Sequence, residues 1–299
     1  MKVFMTIRRK LLYVLSSISP SVFYPSIIKA LYFNRTGEKC DLDKPKKYSE
    51  KIQWRKLQFN TLDVSKYVDK WLVRDWVREK IGDEYLIPAI TGVFSDVREI
   101  DFDALPKKFV IKATHGSGYT LVVNDKAEID KEYAVRTINN WLKHNYAFYT
   151  MELQYKSILP RVYVEENLLD DNEKDLTDYK FFCFNGKVFC SYTMIDYTSN
   201  HSNGKLGFFS RDYKLLPYYR EDFKPITDQL EKPEEYEKMV EIAEKLSEGF
   251  SHVRVDLYNV HGKIYFGEMT FTSASGYCRY VPEEFEYILG KEWDVTSGI

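Results

Sequence analysis

Several familiar signatures are missing from this chain. It contains no Walker GxxxxGK[ST] and no GxGxxG, so neither of those phosphate loops is expected. No convincing Ser/His/Asp or Cys/His arrangement is present either, which argues against a side-chain nucleophile. The 4 cysteines (Cys40, Cys183, Cys190 and Cys278) show no CxxC and no metal-ligand spacing, the pattern of reduced thiols in a cytosolic protein. Cys183 and Cys190 flank an Asn-Gly turn, but a two-residue hairpin there pairs Cys183 with Val188, so the two thiols are not opposite. No apolar run approaches the ~20 residues needed to span a bilayer. There is no internal repeat, low-complexity tract or long linker.

What is present looks like an ordinary globular protein. Of 299 residues, 44% are hydrophobic and 29% charged, and 24 Tyr with 19 Phe suggest β-rich, aromatic-packed cores or clefts. The net charge of -2 is unevenly spread: residues 1–60 hold 13 Lys/Arg against 4 Asp/Glu, so the rest of the chain carries -11. The start, MKVFMTIRRKLLYVLSSISPSVFYP, imitates a signal peptide. Its apolar run from Leu11 to Ile18 is short, contains two serines and leads to Pro20 rather than a small-x-small site. The expectation is an amphipathic helix packed on the domain of a cytoplasmic protein. The alternative is peripheral contact of its basic and apolar faces with the inner membrane leaflet or an acidic polymer.

Along the chain, helical and strand periodicities alternate. Residues 63–80, DVSKYVDKWLVRDWVREK, predict one amphipathic helix with Val64, Val68, Trp71, Leu72 and Trp76 on its apolar side. IGDEYLIPAITGVF predicts a break and a short strand. FVIK and TLVV around HGSGY read as a hairpin, KEYAVRTINNWLKHN as a helix and RVYVEENL as a strand. DYKFFCFNGKVFCSYTMI reads as strand–turn–strand about Asn185-Gly186, and EEYEKMVEIAEKLSEGF as a helix ending near Gly249. VRVDLYNVHGKIYFGEMTF closes the pattern as a second strand–turn–strand. Hairpins alternating with helices argue for an α+β fold with mainly antiparallel sheets.

Three stretches carry charge where strands are expected. In FVIKATHGSGYT, Val110 and Lys112 share a sheet face beside a Gly-rich turn whose N–H groups suit an anion; a hairpin with a solvated lysine fits equally. In VRVDLYNVHGKIYFGEMTF, Arg254, Asp256 and Tyr258 share one face, and Ile264, Phe266, Glu268 and Thr270 another. A turn with an even number of residues puts Asp256 and Glu268 on opposite faces, and an odd one on the same face. Val260-His261-Gly262 suits a three-residue turn with a bulge and Gly262 left-handed. Two carboxylates on one face ask for a cation such as Mg²⁺ between them, unless this is the charged outer face of an edge hairpin. In RVYVEENLLDDNEKDLTDYKFF, the acids Glu165, Glu166 and Asp178 could accept from an adenine amine and ribose hydroxyls, or be a solvated loop.

Taken together, these stretches resemble the ATP-grasp superfamily, and within it the TupA-like branch found in surface-polysaccharide biosynthesis. The resemblance rests on VDKWLVRDWVREKIGDEYLIP (68–88), LPKKFVIKATHGSGY (105–119), DYKFFCFNGKVF (178–189) and FSHVRVDLYNVHGKIYFGEMTFTSASG (250–276), and it spans about residues 40–292. It implies an ATP-grasp fold, with the nucleotide held between two mainly antiparallel sheets and a helical N-terminal extension. The implied division is a basic helical segment (1–60), a helix and strand region (61–108), a small subdomain with a Gly-rich lid (109–167) and a large subdomain with a Mg-binding hairpin (168–299).

The resemblance also implies roles. Lys70, in the helix, and Lys112 look like the lysines that contact nucleotide phosphates. His115, Gly116, Ser117 and Gly118, with Tyr119, resemble a flexible cover over them. Glu165 and the backbone of Glu166 to Leu168 are similar to the hinge that holds adenine, and Asp178 to a ribose-binding acid. Asp256 and Glu268 look like magnesium ligands. Arg254 resembles the arginine that stabilises the transferring group, so that it and Lys112 are the catalytic candidates. Many ATP-grasp ligases carry Asn two residues after the Glu as a further metal ligand; Thr270 stands there, a weaker one.

The implied cofactors are ATP and Mg²⁺. The implied reaction is phosphorylation of a small-molecule or glycan carboxylate, such as a sugar acid, followed by attack of an amine, with no nucleic-acid partner. The competing readings are a sugar kinase, a glycosyltransferase resting on the bare D-x-D of Asp41-Leu42-Asp43 or Asp101-Phe102-Asp103, and a nucleotide-responsive scaffold at the membrane.

Overall fold

The computed structural model describes residues 11–169, 175–196 and 204–297. The basic residues before Leu11 and the Asp170-Asp171 part of the acidic loop therefore lie outside the described residues. The chain divides into two compact units, one of Met1–Tyr24, Phe59–Asp75 and Ile87–Leu168, the other of Pro25–Gln58, Trp76–Leu86 and Leu169–Ile299.

In the first unit the predicted hairpin forms from β1 (Phe109–Ala113) and β2 (Thr120–Val123), and β3 (Val162–Glu165) pairs antiparallel on the other side of β1, giving the order β2-β1-β3. Phe109, Ile111 and Ala113 alternate onto the face that joins Ala134, Ile138 and Trp141 of the helix Lys131–Leu142 in one apolar core. That helix starts at Asp130, whose carboxylate accepts the Tyr133 amide at 2.9 Å as an N-cap. Val110 and Lys112 point the other way, as their alternation requires.

The single helix predicted over 63–80 is two, Ser65–Val68 and Val73–Lys80. The cause is Asp69. Its backbone is extended (φ -68°, ψ 117°), and its buried carboxylate accepts the amides of Trp71 at 2.8 Å and Leu72 at 3.1 Å. Local side-chain bonding thus competes with the helical ladder and wins. Lys70 accordingly lies in the break rather than in a helix, and its amide donates to Thr114 O at 3.0 Å. The short strand expected in 81–94 is also absent: Ala89 and Phe94 make only isolated bridges, to Glu165 and Val162.

The second unit holds β4 (Asp178–Phe184), β5 (Lys187–Ile195), β6 (Lys205–Ser210), the short β7 (Tyr219–Arg220) and β8 (Lys224–Pro225), β9 (His252–Val260), β10 (Lys263–Thr270) and the short β11 (Tyr280–Val281). Six of these form one sheet in the order β10-β9-β4-β5-β6-β8, antiparallel except for the last pair. Strand β4 shows how the sheet is covered. Phe181 and Cys183 face the helix Tyr236–Leu246, with the Phe181 and Tyr236 rings 5.8 Å apart. Phe182 and Phe184 face Tyr48 of the helix Tyr48–Gln58 in a core completed by Phe285 and Trp293. On that second face the strand begins with Asp178 and Lys180 instead of aromatics, so the apolar layer gives way to charge at one end.

The four cysteines are free, and Cys183 pairs in register with Val188, as the Asn-Gly turn predicts. Among the described residues no helix is long and apolar enough to cross a membrane.

Candidate active site

The β9–β10 hairpin carries the densest charge in the second unit. Its turn has two residues, His261 (φ 51°) and Gly262 (φ 80°), with Val260 pairing Lys263. The three-residue turn expected from the sequence is therefore corrected. With an even turn and unbroken register, Asp256 and Glu268 would fall on opposite faces. A β-bulge at Gly267 restores them: Phe266 pairs Leu257, one residue is left over, and Glu268 then stands opposite Asp256. Glycine suits the site because a Cβ there would lie 3.0 Å from Asp256 O.

The register continues across the sheet. Glu268 pairs Asp256, Asp256 pairs Lys180 on β4, and Lys180 pairs Tyr192 on β5, so four neighbouring strands present one row of side chains. Lys180 Nζ lies 2.8 Å from Asp256 Oδ2 and 3.3 Å from Asp178 Oδ1. The second contact is an ion pair outside hydrogen-bond geometry, and it leaves Asp178 Oδ1 buried without a donor. Burial, helped by the charges of Asp256 and Glu268, pushes the Asp178 carboxyl up against the pull of Lys180. Burial alone would lower the Lys180 amine, but Asp178 and Asp256 outweigh it and hold the amine well above its ordinary value.

Arg254, one step along β9, is buried and ties the row together. Nε and Nη2 donate to the two oxygens of Asp256, both at 2.7 Å. Nη1 reaches Tyr192 Oη at 3.1 Å and Ser273 Oγ at 2.8 Å. Nη2 also meets Thr270 Oγ1 at 3.0 Å and Glu268 Oε1 at 3.4 Å, and the Thr270 hydroxyl donates to Glu268 Oε1 at 2.9 Å. Three acids thus face two bases, and Glu268, with its side chain 30% exposed, is the most accessible acid. Two facing carboxylates, a hydroxyl beside them and an excess of negative charge suit a hard divalent cation with part of its shell left for phosphate oxygens. Among the described residues no group of three His, Cys, Asp or Glu is disposed to hold a metal by itself.

In the first unit the predicted residues form a second cluster. Lys112 Nζ lies 2.5 Å from Glu165 Oε1, and Tyr163 Oη donates to Glu165 Oε2 at 3.1 Å. The Glu165 carboxylate is thus held by a base and a phenol. The Glu166 amide donates to Pro88 O at 3.0 Å, so of the expected hinge backbone that N–H is already spent. Lys70 Nζ donates to Gly116 O at 2.8 Å, which ties the loop to the break at Asp69.

The His115–Tyr119 loop is only partly the flexible cover expected. Ser117 and Gly118 are exposed, but His115 and Gly116 are buried. His115 Nε2 donates to Trp141 O at 2.9 Å, since a carbonyl can only accept, and burial lowers the ring's pKa. Gly116 has φ 85°, and a Cβ on it would lie 2.5 Å from the Tyr146 ring. Half of this loop is therefore packed foundation.

Sequence reasoning missed Lys180. The signal was there in DYK: alternation places Asp178 and Lys180 on one face, and a buried lysine requires acids beside it. The two D-x-D matches, by contrast, are turns. Asp41 Oδ1 accepts the amides of Asp43 and Lys44, both at 2.9 Å, and Asp101 Oδ1 accepts that of Asp103 at 3.0 Å.

Residues 50–294, including both clusters, match the family described as TupA-like ATP-grasp. The chain belongs to that family. This TupA-like ATP-grasp chain is similar to several solved structures, among them an N5-carboxyaminoimidazole ribonucleotide synthetase in complex with ADP, at 12% identity over 69% of this chain and 45% of that one, TM-score 0.40. Others are the D-alanine–D-alanine ligase of Bacillus anthracis with ATP, at 14% identity over 68% and 53%, TM-score 0.38, and the ATP-grasp ligase PsnB with a minimal precursor, Mg and ADP, at 13% identity over 75% and 57%, TM-score 0.35. The chain spans about half the length of these proteins. No curated protein matches it.

Proposed function

We propose that this TupA-like ATP-grasp protein is an ATP- and Mg²⁺-dependent ligase that joins a carboxylate to an amine through an acyl-phosphate. The observation that carries the reading is the Gly267 bulge, which costs the hairpin a regular ladder and brings Glu268 opposite Asp256 beside Lys180 and Arg254. Asp256 and Glu268, with Thr270 as a weak third, are the residues that would hold Mg²⁺, which supplies neutralisation of phosphate charge. Arg254 keeps both acids in place through its hydrogen bonds and adds its own positive charge to the transferring group. Lys112 and Lys70 turn their amines to phosphate oxygens, exchanging Glu165 and Gly116 O for a more highly charged partner. Glu165, the Glu166 carbonyl and the Leu168 backbone take the adenine, the Glu166 N–H being held by Pro88 O. Asp178, with one oxygen lacking a donor, takes a ribose hydroxyl. Ser117 and Gly118 form the mobile tip of the cover.

The chemistry is then mostly positioning and charge. A substrate carboxylate oxygen attacks the γ-phosphorus of ATP, the bond to the bridging oxygen breaks and ADP leaves. The amine nitrogen attacks the acyl carbon, inorganic phosphate leaves, and the nitrogen gives up a proton. The carboxylate is a sugar acid of a surface polysaccharide or its precursor, a reading that rests on the family alone. The test is ADP release with Mg-ATP against uronic acids, nucleotide sugars and amino acids. Release only when carboxylate and amine are both present supports the ligase, and release with a sugar alone replaces it by a kinase. Lys112→Ala and Glu268→Ala are each expected to abolish release with the fold retained. Unchanged turnover in either purified variant sinks the site.

A further inference from the structure

Residues 11–18 form a helix in the first unit, and it is docked with its more polar side inward. The Tyr13 ring packs 4.7 Å from that of Tyr149 and 5.8 Å from that of His144, its hydroxyl accepts the Asn145 amide at 3.2 Å, and Ser16 is buried. The side chains turned outward are apolar. Leu11, Val14, Leu15 and Ile18, followed by Val22 and Phe23 of the turn Ser21–Phe23, are 47–75% exposed. Single exposed apolar residues need no explanation, but six of them on one short stretch mark an interaction surface.

Charge identifies what it meets. Residues 1–37 contain Lys2, Arg8, Arg9, Lys10, Lys29 and Arg35 and not one Asp or Glu; the first acid is Glu38. A second copy would bring the same unbalanced cations against this face, whereas an anionic lipid surface complements them. The backbone is suited to it as well. Ser17 Oγ donates to Val14 O at 2.9 Å and Ser19 Oγ to Leu15 O at 2.6 Å, so carbonyls at the helix end have local partners. Among the described residues no helix is long and apolar enough to cross a bilayer, so the contact proposed is with a surface. We propose that the face from Leu11 to Phe23 rests on an anionic lipid surface, with its apolar side chains at headgroup depth. This is independent of the reaction proposed above.

The test is co-sedimentation of the full chain with vesicles of phosphatidylcholine alone and of phosphatidylcholine mixed with phosphatidylglycerol. The chain is expected to bind the mixed vesicles, to release them at high salt, and to lose at least about tenfold in affinity in the Leu15→Asp/Ile18→Asp variant. Leu15→Ser/Ile18→Ser should show a smaller loss in the same direction, with thermal midpoint and ADP release as in the wild type. Equal binding of both variants and the wild type, or no wild-type binding to the anionic vesicles, overturns the proposal. So does a wild-type dimer that the Asp substitutions dissociate, because a second copy then covers the face.

Discussion

On the three-stranded sheet one base meets one acid, and a phenol completes the set: Lys112, Glu165 and Tyr163. On the six-stranded sheet Asp178, Asp256 and Glu268 share Lys180 and Arg254, and no acid of the row has a base to itself. When a nucleotide takes Lys112, Tyr163 still donates to Glu165, so the closed pair can part without leaving its acid bare. A shared network cannot, because each member removed leaves a buried charge facing its like. The first arrangement therefore suits residues that change partner when a nucleotide arrives, the second a rigid platform for a metal.

The largest effect expected from this contrast is Asp256→Ala, which leaves Lys180 only Asp178 and takes from Arg254 its bidentate acid, and should cost roughly 3–5 kcal/mol in urea unfolding. A loss under about 1 kcal/mol would show that the row is not a network. Next comes a buried acid outside both clusters. Glu286, bonded by the Ser49 amide at 2.9 Å, has its carboxyl pushed up by burial to about 7 from an ordinary 4.5. A carboxyl whose pKa is higher folded than unfolded contributes stability that is present below its unfolded value and lost as pH rises through its folded one. Glu286→Gln should remove that decline between about pH 4.5 and 7 and gain up to ~3 kcal/mol at pH 8, read from thermal midpoints across pH. Had Glu286 a base of its own, the curve would not change.

Lys112→Ala should cost less than Asp256→Ala, about 2 kcal/mol, because Tyr163 still donates to Glu165. An equal loss would erase the distinction between pair and network. Smallest in stability is Gly267→Ala, about 1 kcal/mol, because its Cβ presses on Asp256 O at 3.0 Å and the bulge must yield slightly. ADP release should nevertheless fall at least about tenfold, since the alignment of Glu268 with Asp256 depends on that bulge. Activity falling only in step with stability would contradict this.

Much of this was legible from the residues. Period-two alternation gave the three hairpins and the faces of Lys112 and Asp256, and the Asn-Gly turn gave the pairing of Cys183 with Val188. Register was the weak point, because the turn at Val260-His261-Gly262 fits two lengths equally well and the compensating residue sits five positions further on, at Gly267. Asp69 was hidden for another reason: a helical period continues straight through it, and only its side-chain bonds to Trp71 and Leu72 stop the helix. Lys180 was legible only in hindsight, since a lysine within a strand reads as exposed until the partner strand supplies Asp256.

The central claim is that the bulge-aligned acids serve Mg²⁺-nucleotide. Calorimetric titration of the chain with ATP, with and without Mg²⁺, tests it most directly. Binding should strengthen at least about tenfold with Mg²⁺ in the wild type, and Glu268→Ala should erase that gain while keeping the metal-free affinity. If Mg²⁺ strengthens ATP binding equally in Glu268→Ala, the metal lies elsewhere and the account is wrong.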